Sequence, residues 1–241
     1  PKEYEHSMAD SLFLGEKCNF TFDKKWVEEI ASLEGVAACS PQLYMKSLAA
    51  GCCSAEVQLI AFDPETDFAI TAWLEDSNIK MPGHGEMIIG SNIRPETDGE
   101  VIFFNDHYKV IGQLETTRTN YDTCVFMTYE TATDIMHSEK WYEAFRETPD
   151  ANDLVSSLLV RTEEGVDAKL VARTINFRMS DDSPLSAYTT NGIMSEAIES
   201  TQSMGNYSRL LVVLISILVV AALLCIFTIT INERTKEFGI L

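Results

Sequence analysis

The chain has 241 residues, 46% of them apolar, and a formal net charge of -19 from 37 acidic and 18 basic side chains. A balance this acidic keeps a surface solvated and works against binding nucleic acid or docking on anionic lipid through charge. The residues ahead of position 210 suffice for a sizeable core, as one domain with two lobes.

Asp23-Lys24-Lys25-Trp26 opens a helix with Asp23 as its N-cap, and Trp26, Ile30 and Leu33 recur at helical spacing until Gly35 stops it. Val36 to Leu48 reads as a strand with a bend at Ser40-Pro41, and Ala55 to Phe62 as a second strand ended by Asp63-Pro64. From Asp67 onward short strands are expected at Phe68–Leu74, Glu86–Gly90, Val101–Phe104, Tyr108–Leu114 and Thr123–Met127. Helical character returns at Tyr129–His137 and Trp141–Phe145, and Pro149-Asp150 breaks it. The last soluble stretch reads as βαβ. Leu154–Val160 is a strand, Gly165-Val166-Asp167 leads into a helix carrying Val166, Leu170, Val171, Ile175 and Phe177, and Leu185–Thr189 is the next strand.

Residues 193–209 are polar and almost free of helix breakers, which predicts a helical stalk. Residues 210–231, LLVVLISILVVAALLCIFTITI, carry no charge, proline or glycine. At about 1.5 Å rise per residue they reach roughly 33 Å, enough to cross a hydrocarbon core of about 30 Å. Arg234 and Lys236 lie beyond the run and only Arg209 close before it, which places the acidic domain outside and the C-terminal end inside. Opening on Pro1 and stopping at Gly239-Ile240-Leu241, the chain is expected to be a piece of a longer polypeptide.

Cys18, Cys39, Cys52, Cys53, Cys124 and Cys225 show no paired zinc-ligand spacing. Cys225 falls within the apolar run. The other five allow two disulfides and a leftover thiol, or five free thiols. The adjacent pair Cys52-Cys53 is a candidate thiol site. Two thiolates suit soft ions but are too few for a closed zinc site, so packing or a vicinal disulfide are its other readings. His6, His84, His107 and His137 are scattered and read as surface or loop residues. Asp63, Glu65 and Asp67 lack the glycine and terminal glutamate of a calcium loop, and read as an acidic turn. No hydrolase, zinc-protease or Walker motif is present. The chain is therefore expected to hold no cofactor or metal and not to be an enzyme.

Three stretches resemble the MacB/FtsX-like family of ABC transporter permeases. Ile30-Ala31-Ser32-Leu33-Glu34-Gly35-Val36 followed by Ser40-Pro41-Gln42-Leu43 is similar to the opening of that family's external domain. Tyr108-Lys109-Val110-Ile111-Gly112-Gln113-Leu114, with Asp122 and Val125-Phe126-Met127, looks like its middle. Asn232-Glu233-Arg234-Thr235-Lys236-Glu237-Phe238-Gly239-Ile240-Leu241 resembles the segment after the second transmembrane helix. Cys52 to Phe68 looks like a block found in a subset of permeases from anaerobic bacteria.

The resemblance implies an α+β, two-lobed extracytoplasmic domain on the cytoplasmic membrane. A porter-like lobe would take residues 1–66 and 150–192, with a mainly β lobe inserted at 67–149. The stalk at 193–209, the transmembrane helix at 210–231 and the start of a cytoplasmic coupling segment at 232–241 would follow. The implied partners are an ABC ATPase, a second copy or a related permease, and membrane lipid, with no nucleic acid. Glu233, Arg234, Lys236, Glu237 and Gly239 would seat in the ATPase, which would hydrolyse ATP and drive the external domain by mechanotransmission. The alternative is a membrane-anchored sensor or soft-metal and thiol-binding module with a single span.

Overall fold

A computed structural model of the chain describes residues 17, 20–48, 51–96, 98–117, 119–179, 185–189, 211–226, 229 and 231. Residues 1–189 and 190–241 fall into two separate units. The first is an α+β unit built on a mixed sheet.

The sheet's strands are β2 (Val36–Lys46), β3 (Gln58–Phe62), β4 (Glu86–Ile89), β5 (Glu100–Phe103), β6 (Asp106–Gln113), β7 (Cys124–Thr128) and β9 (Ser157–Thr162), in the order β5-β6-β4-β7-β3-β2-β9. The pairs β3·β7 and β4·β6 run parallel and the others antiparallel. A short ribbon pairs β1 (Phe22–Asp23) with β8 (Leu154–Val155). The strands assigned from sequence to the inserted lobe and to the lobe around it thus join in one sheet.

Central strands of such a sheet are buried on both faces and read as continuous apolar runs. Every residue of β3 is buried. Leu59 and Ala61 point to one face with Leu43, Met45, Val125 and Met127; Ile60 and Phe62 point to the other with Tyr44 and Phe126. The first face is covered by α3 (Tyr129–His137) and α4 (Glu139–Phe145) through Ala132, Ile135, Met136 and Trp141. The second is covered by α2 (Ile70–Asp76) through Ile70 and Leu74. A third cluster joins α1 (Lys25–Ala31) and α5 (Ala168–Arg178) to the β9 end of the sheet through Ile30, Leu33, Val171 and Ile175.

Hydroxyl and carboxylate caps set several helix starts. Thr128 Oγ1 accepts the Thr131 N–H, Ser138 Oγ the Trp141 N–H, and Asp167 Oδ1 the Lys169 N–H. Asp23 ends β1 rather than standing at the N-cap of α1, where Lys24 sits, yet its carboxylate still accepts the Lys25 N–H at 2.9 Å. After α1 the chain turns at Gly35, with φ at +87°, a conformation that side-chain-bearing residues rarely adopt.

Four further sequence expectations need correction. Phe68–Leu74 is not a strand: Ile70–Asp76 is helical, because the Asp67 carboxylate caps it and Ile70 and Leu74, four residues apart, bury together. β2 runs straight through Ser40-Pro41, and its irregularity lies between Val36 and Ala38. Pro41 precedes by one residue the point where β3 joins, so its missing N–H breaks no rung to that strand. The apolar stretch 154–160 is two strands, parted at Ser156, whose hydroxyl accepts the Tyr44 N–H at 2.9 Å. Residues 185–189 form no strand. There the Asn176 amide takes the Ala187 N–H at 2.6 Å and donates to its carbonyl at 2.9 Å, doing for one residue what a neighbouring strand would do for several.

In the second unit residues 211–226 are helical. Among the described residues no helix is long and apolar enough to cross a membrane. The expected stalk at 193–209 lies outside the described residues.

Candidate functional site

Ser40 and Gln42, from the first stretch that carries the resemblance, meet Asp67, from the block that follows Cys52. Asp67 is buried on the α2 face of the sheet. Its Oδ2 accepts the Ser40 hydroxyl at 2.8 Å and Gln42 Nε2 at 3.3 Å; its Oδ1 accepts the N–H groups of Ala69 and Thr71 at 2.9 Å each. Gln42 Oε1 in turn accepts the Tyr44 hydroxyl at 3.1 Å. The neighbouring Asp63 carboxylate takes the Glu65 N–H and the Thr66 hydroxyl. Asp63 is therefore turned to its own segment, which fits the acidic-turn reading, whereas Asp67 also ties that segment to β2. The sequence held the signal that α2 begins here, an aspartate just ahead of Ile70 and Leu74. The strand propensity of Phe68-Ala69-Ile70-Thr71-Ala72-Trp73 outweighed it.

Cys52 and Cys53 are half-buried free thiols, with Sγ atoms 3.5 Å apart in hydrogen-bond contact. The segment they open lies along β5, the edge strand of the sheet. The Ser54 N–H donates to the Ile102 carbonyl at 2.8 Å, Ser54 Oγ accepts the Ile102 N–H at 2.8 Å, and the Asn105 N–H donates to the Cys52 carbonyl at 2.9 Å. Cys53 Sγ accepts the Phe104 N–H at 3.5 Å. Backbone groups that would otherwise stand open on an edge strand are thus covered. Cys53 also packs on the cluster that holds Phe104, Trp141 and Phe145. Burial pushes the Cys52 thiol above its ordinary value, its contact with Cys53 pushes it further, and the Lys140 ammonium draws it partly back.

The other described cysteines are elsewhere. Cys39 packs in the α1–α5 cluster, where burial pushes its thiol up. Cys124 lies in the α2 cluster and donates to the Asn120 carbonyl at 3.3 Å. Cys225 is exposed, and Cys18 lies outside the described residues. Among the described residues no group of three or more His, Cys, Asp and Glu side chains is placed to hold a metal ion. His84 pairs with Asp134 and His107 with Glu100 at the surface, and His137 is exposed in the last turn of α3. His6 lies outside the described residues, as do Glu233, Arg234, Lys236, Glu237 and Gly239.

No family model matches the chain, and no curated protein sequence matches it. Solved structures similar to it include the extracellular domain of the noncanonic ABC-type transporter YknZ from Gram-positive bacteria, at 13% identity over 70% of this chain and 90% of that one, with a TM-score of 0.40. They also include the periplasmic region of MacB from Actinobacillus actinomycetemcomitans, at 9% identity over 66% of this chain and 73% of that one, again with a TM-score of 0.40. At that score neither likeness fixes the fold.

Proposed function

We propose that the chain is part of a permease of the MacB/FtsX-like type: its extracytoplasmic domain, one transmembrane helix and the start of a cytoplasmic coupling segment. The observation that carries this reading is the order in the sequence of an uncharged run, 210–231, and then Asn232-Glu233-Arg234-Thr235-Lys236-Glu237-Phe238-Gly239-Ile240-Leu241. The helix at 211–226 supports the membrane part. Leu211, Val212, Val213, Leu214 and Ile215 are consecutive and all more than half exposed, so at 100° per residue apolar side chains face every direction. A helix apolar all round suits lipid or a bundle of like helices, not water. It carries no ionisable group apart from Cys225 and offers no ion path.

In this reading the chain hydrolyses nothing itself. An ABC ATPase on the inner side binds and hydrolyses ATP, and a second copy or a related permease completes the pair. Glu233, Arg234, Lys236 and Glu237 seat in the ATPase, with Gly239 allowing close approach. Movement of the helix is passed to the external domain, whose doubly covered sheet moves as a packed body rather than deforming.

Co-purification of the full-length protein from its own membranes tests the partner: an ABC ATPase is expected with it, and a preparation without one refutes the reading. The double substitution Glu233→Ala with Glu237→Ala tests the coupling. Transport is expected to fail while the protein stays inserted and folded; unchanged transport and stimulated ATPase activity would show that these charges only anchor the helix.

A further inference from the structure

We propose that Cys52 and Cys53 together form a two-thiolate site for a soft d10 cation such as copper(I), leaving the rest of the ion's coordination shell to donors beyond this pair. This goes beyond the permease reading and does not depend on it.

The geometry carries the inference. With metal–thiolate bonds of about 2.3 Å, sulfurs 3.5 Å apart subtend about 100° at the ion, close to a tetrahedral angle. The pair therefore needs little movement to chelate. Adjacent cysteines in an extended chain point to opposite sides. Here the bonds from Asn105 to the Cys52 carbonyl and between Ser54 and Ile102 hold the segment in a form that brings both sulfurs to one side. The Phe104 N–H already donates to Cys53 Sγ, a bond that strengthens when the sulfur carries charge. Both thiols are half-buried, so the site is sheltered but reachable. The net charge of -19 raises the cation concentration around the protein. Among the described residues no third ligand joins the pair. Closed structural sites take about four ligands, so two soft thiolates leave positions on the ion for further donors.

Binding balances as two thiols plus one cation giving a dithiolate complex and two protons. While both thiols are protonated, apparent affinity therefore rises about 100-fold per pH unit, against tenfold for a single thiolate.

The test uses the reduced 241-residue chain and cadmium(II), a d10 ion that does not oxidise thiols. Its thiolate charge-transfer absorption reports ligation, and elemental analysis gives stoichiometry. One ion per chain is expected, or one per two chains where two copies close the shell. Cys52→Ser and Cys53→Ser should each abolish it, while Cys39→Ser leaves it. Should either serine variant unfold, the unmodified chain still decides. Cadmium should protect both Cys52 and Cys53 from alkylation, as mapped by peptide mass. The proposal is overturned by binding that survives the double serine variant, by protection of another cysteine instead of this pair, by a tenfold pH dependence, or by no binding at all.

Discussion

Asp67→Ala is expected to destabilise the unit formed by residues 1–189 by about 3 kcal/mol. The figure follows from the groups the carboxylate serves. Losing the cap of α2, formed by the Ala69 and Thr71 N–H groups on Oδ1, costs about 1 kcal/mol. The Ser40 hydroxyl and Gln42 amide, 0% and 2% exposed, are left without Oδ2, at about 1 kcal/mol each when a buried donor loses its acceptor. Urea unfolding followed by tryptophan fluorescence reads the change, since Trp73 lies in α2 with its ring edge-on to Tyr121 at 4.9 Å. With a slope of about 2 kcal/mol per molar urea, the midpoint should fall by roughly 1.5 M. Asp67→Asn separates the two halves. It keeps a carbonyl oxygen for the cap but places an amide donor against two donors, so about 2 kcal/mol should be lost. A loss below about 1 kcal/mol in the alanine variant would refute the account, as would an asparagine variant no more stable than the alanine one.

Gly112 in β6 has no room for a side chain, since a Cβ there would lie 2.5 Å from Ile79 Cγ2. Gly112→Ala should cost about 1–3 kcal/mol in urea unfolding, and adding Ile79→Ala should recover part of it; purely additive losses would exclude this contact as the cause. Because burial and Cys53 raise the Cys52 thiol, its thiolate fraction at neutral pH is low. Alkylation of Cys52 should keep accelerating above the ordinary thiol range, and Lys140→Ala should slow it further; a plateau below that range would contradict the burial. For topology, an impermeant maleimide applied to intact cells should label an exposed engineered thiol such as Lys169→Cys but not Thr235→Cys, and labelling of the latter would reverse the orientation.

Most elements were legible because their signals are local. α3 was readable to its first and last residues from Tyr129 to His137, where Thr128 caps the start and Ala132, Ile135 and Met136 share a face. β4 to β7 stood out as short runs rich in β-branched and aromatic residues. What sequence could not settle depends on contacts across the chain. Phe68 to Leu74 carries strand-forming residues, and its helix depends on a carboxylate fixed by Ser40 and Gln42, 27 and 25 positions earlier. Residues 185–189 read as a strand, but the backbone N–H and carbonyl of Ala187 bond the side chain of Asn176. At the thiols, adjacency was plain in the sequence. That the sulfurs share a side follows from docking on β5, about fifty residues further on.

The pairing along β2 has a mechanical consequence. Residues 36–42 bond β9 on one side, residues 42–46 bond β3 on the other, and Gln42 alone belongs to both ladders. The sheet is thus a lap joint: one strand overlaps two panels by a single rung. Pulled along its length, β2 carries load through covalent bonds. Beyond that rung the overlap is tied by two side chains: the Asp67 carboxylate, which takes Ser40 and Gln42, and the Ser156 hydroxyl, which accepts the Tyr44 N–H. Where a ladder would run on for several rungs, the two panels are latched by Asp67 and Ser156 instead.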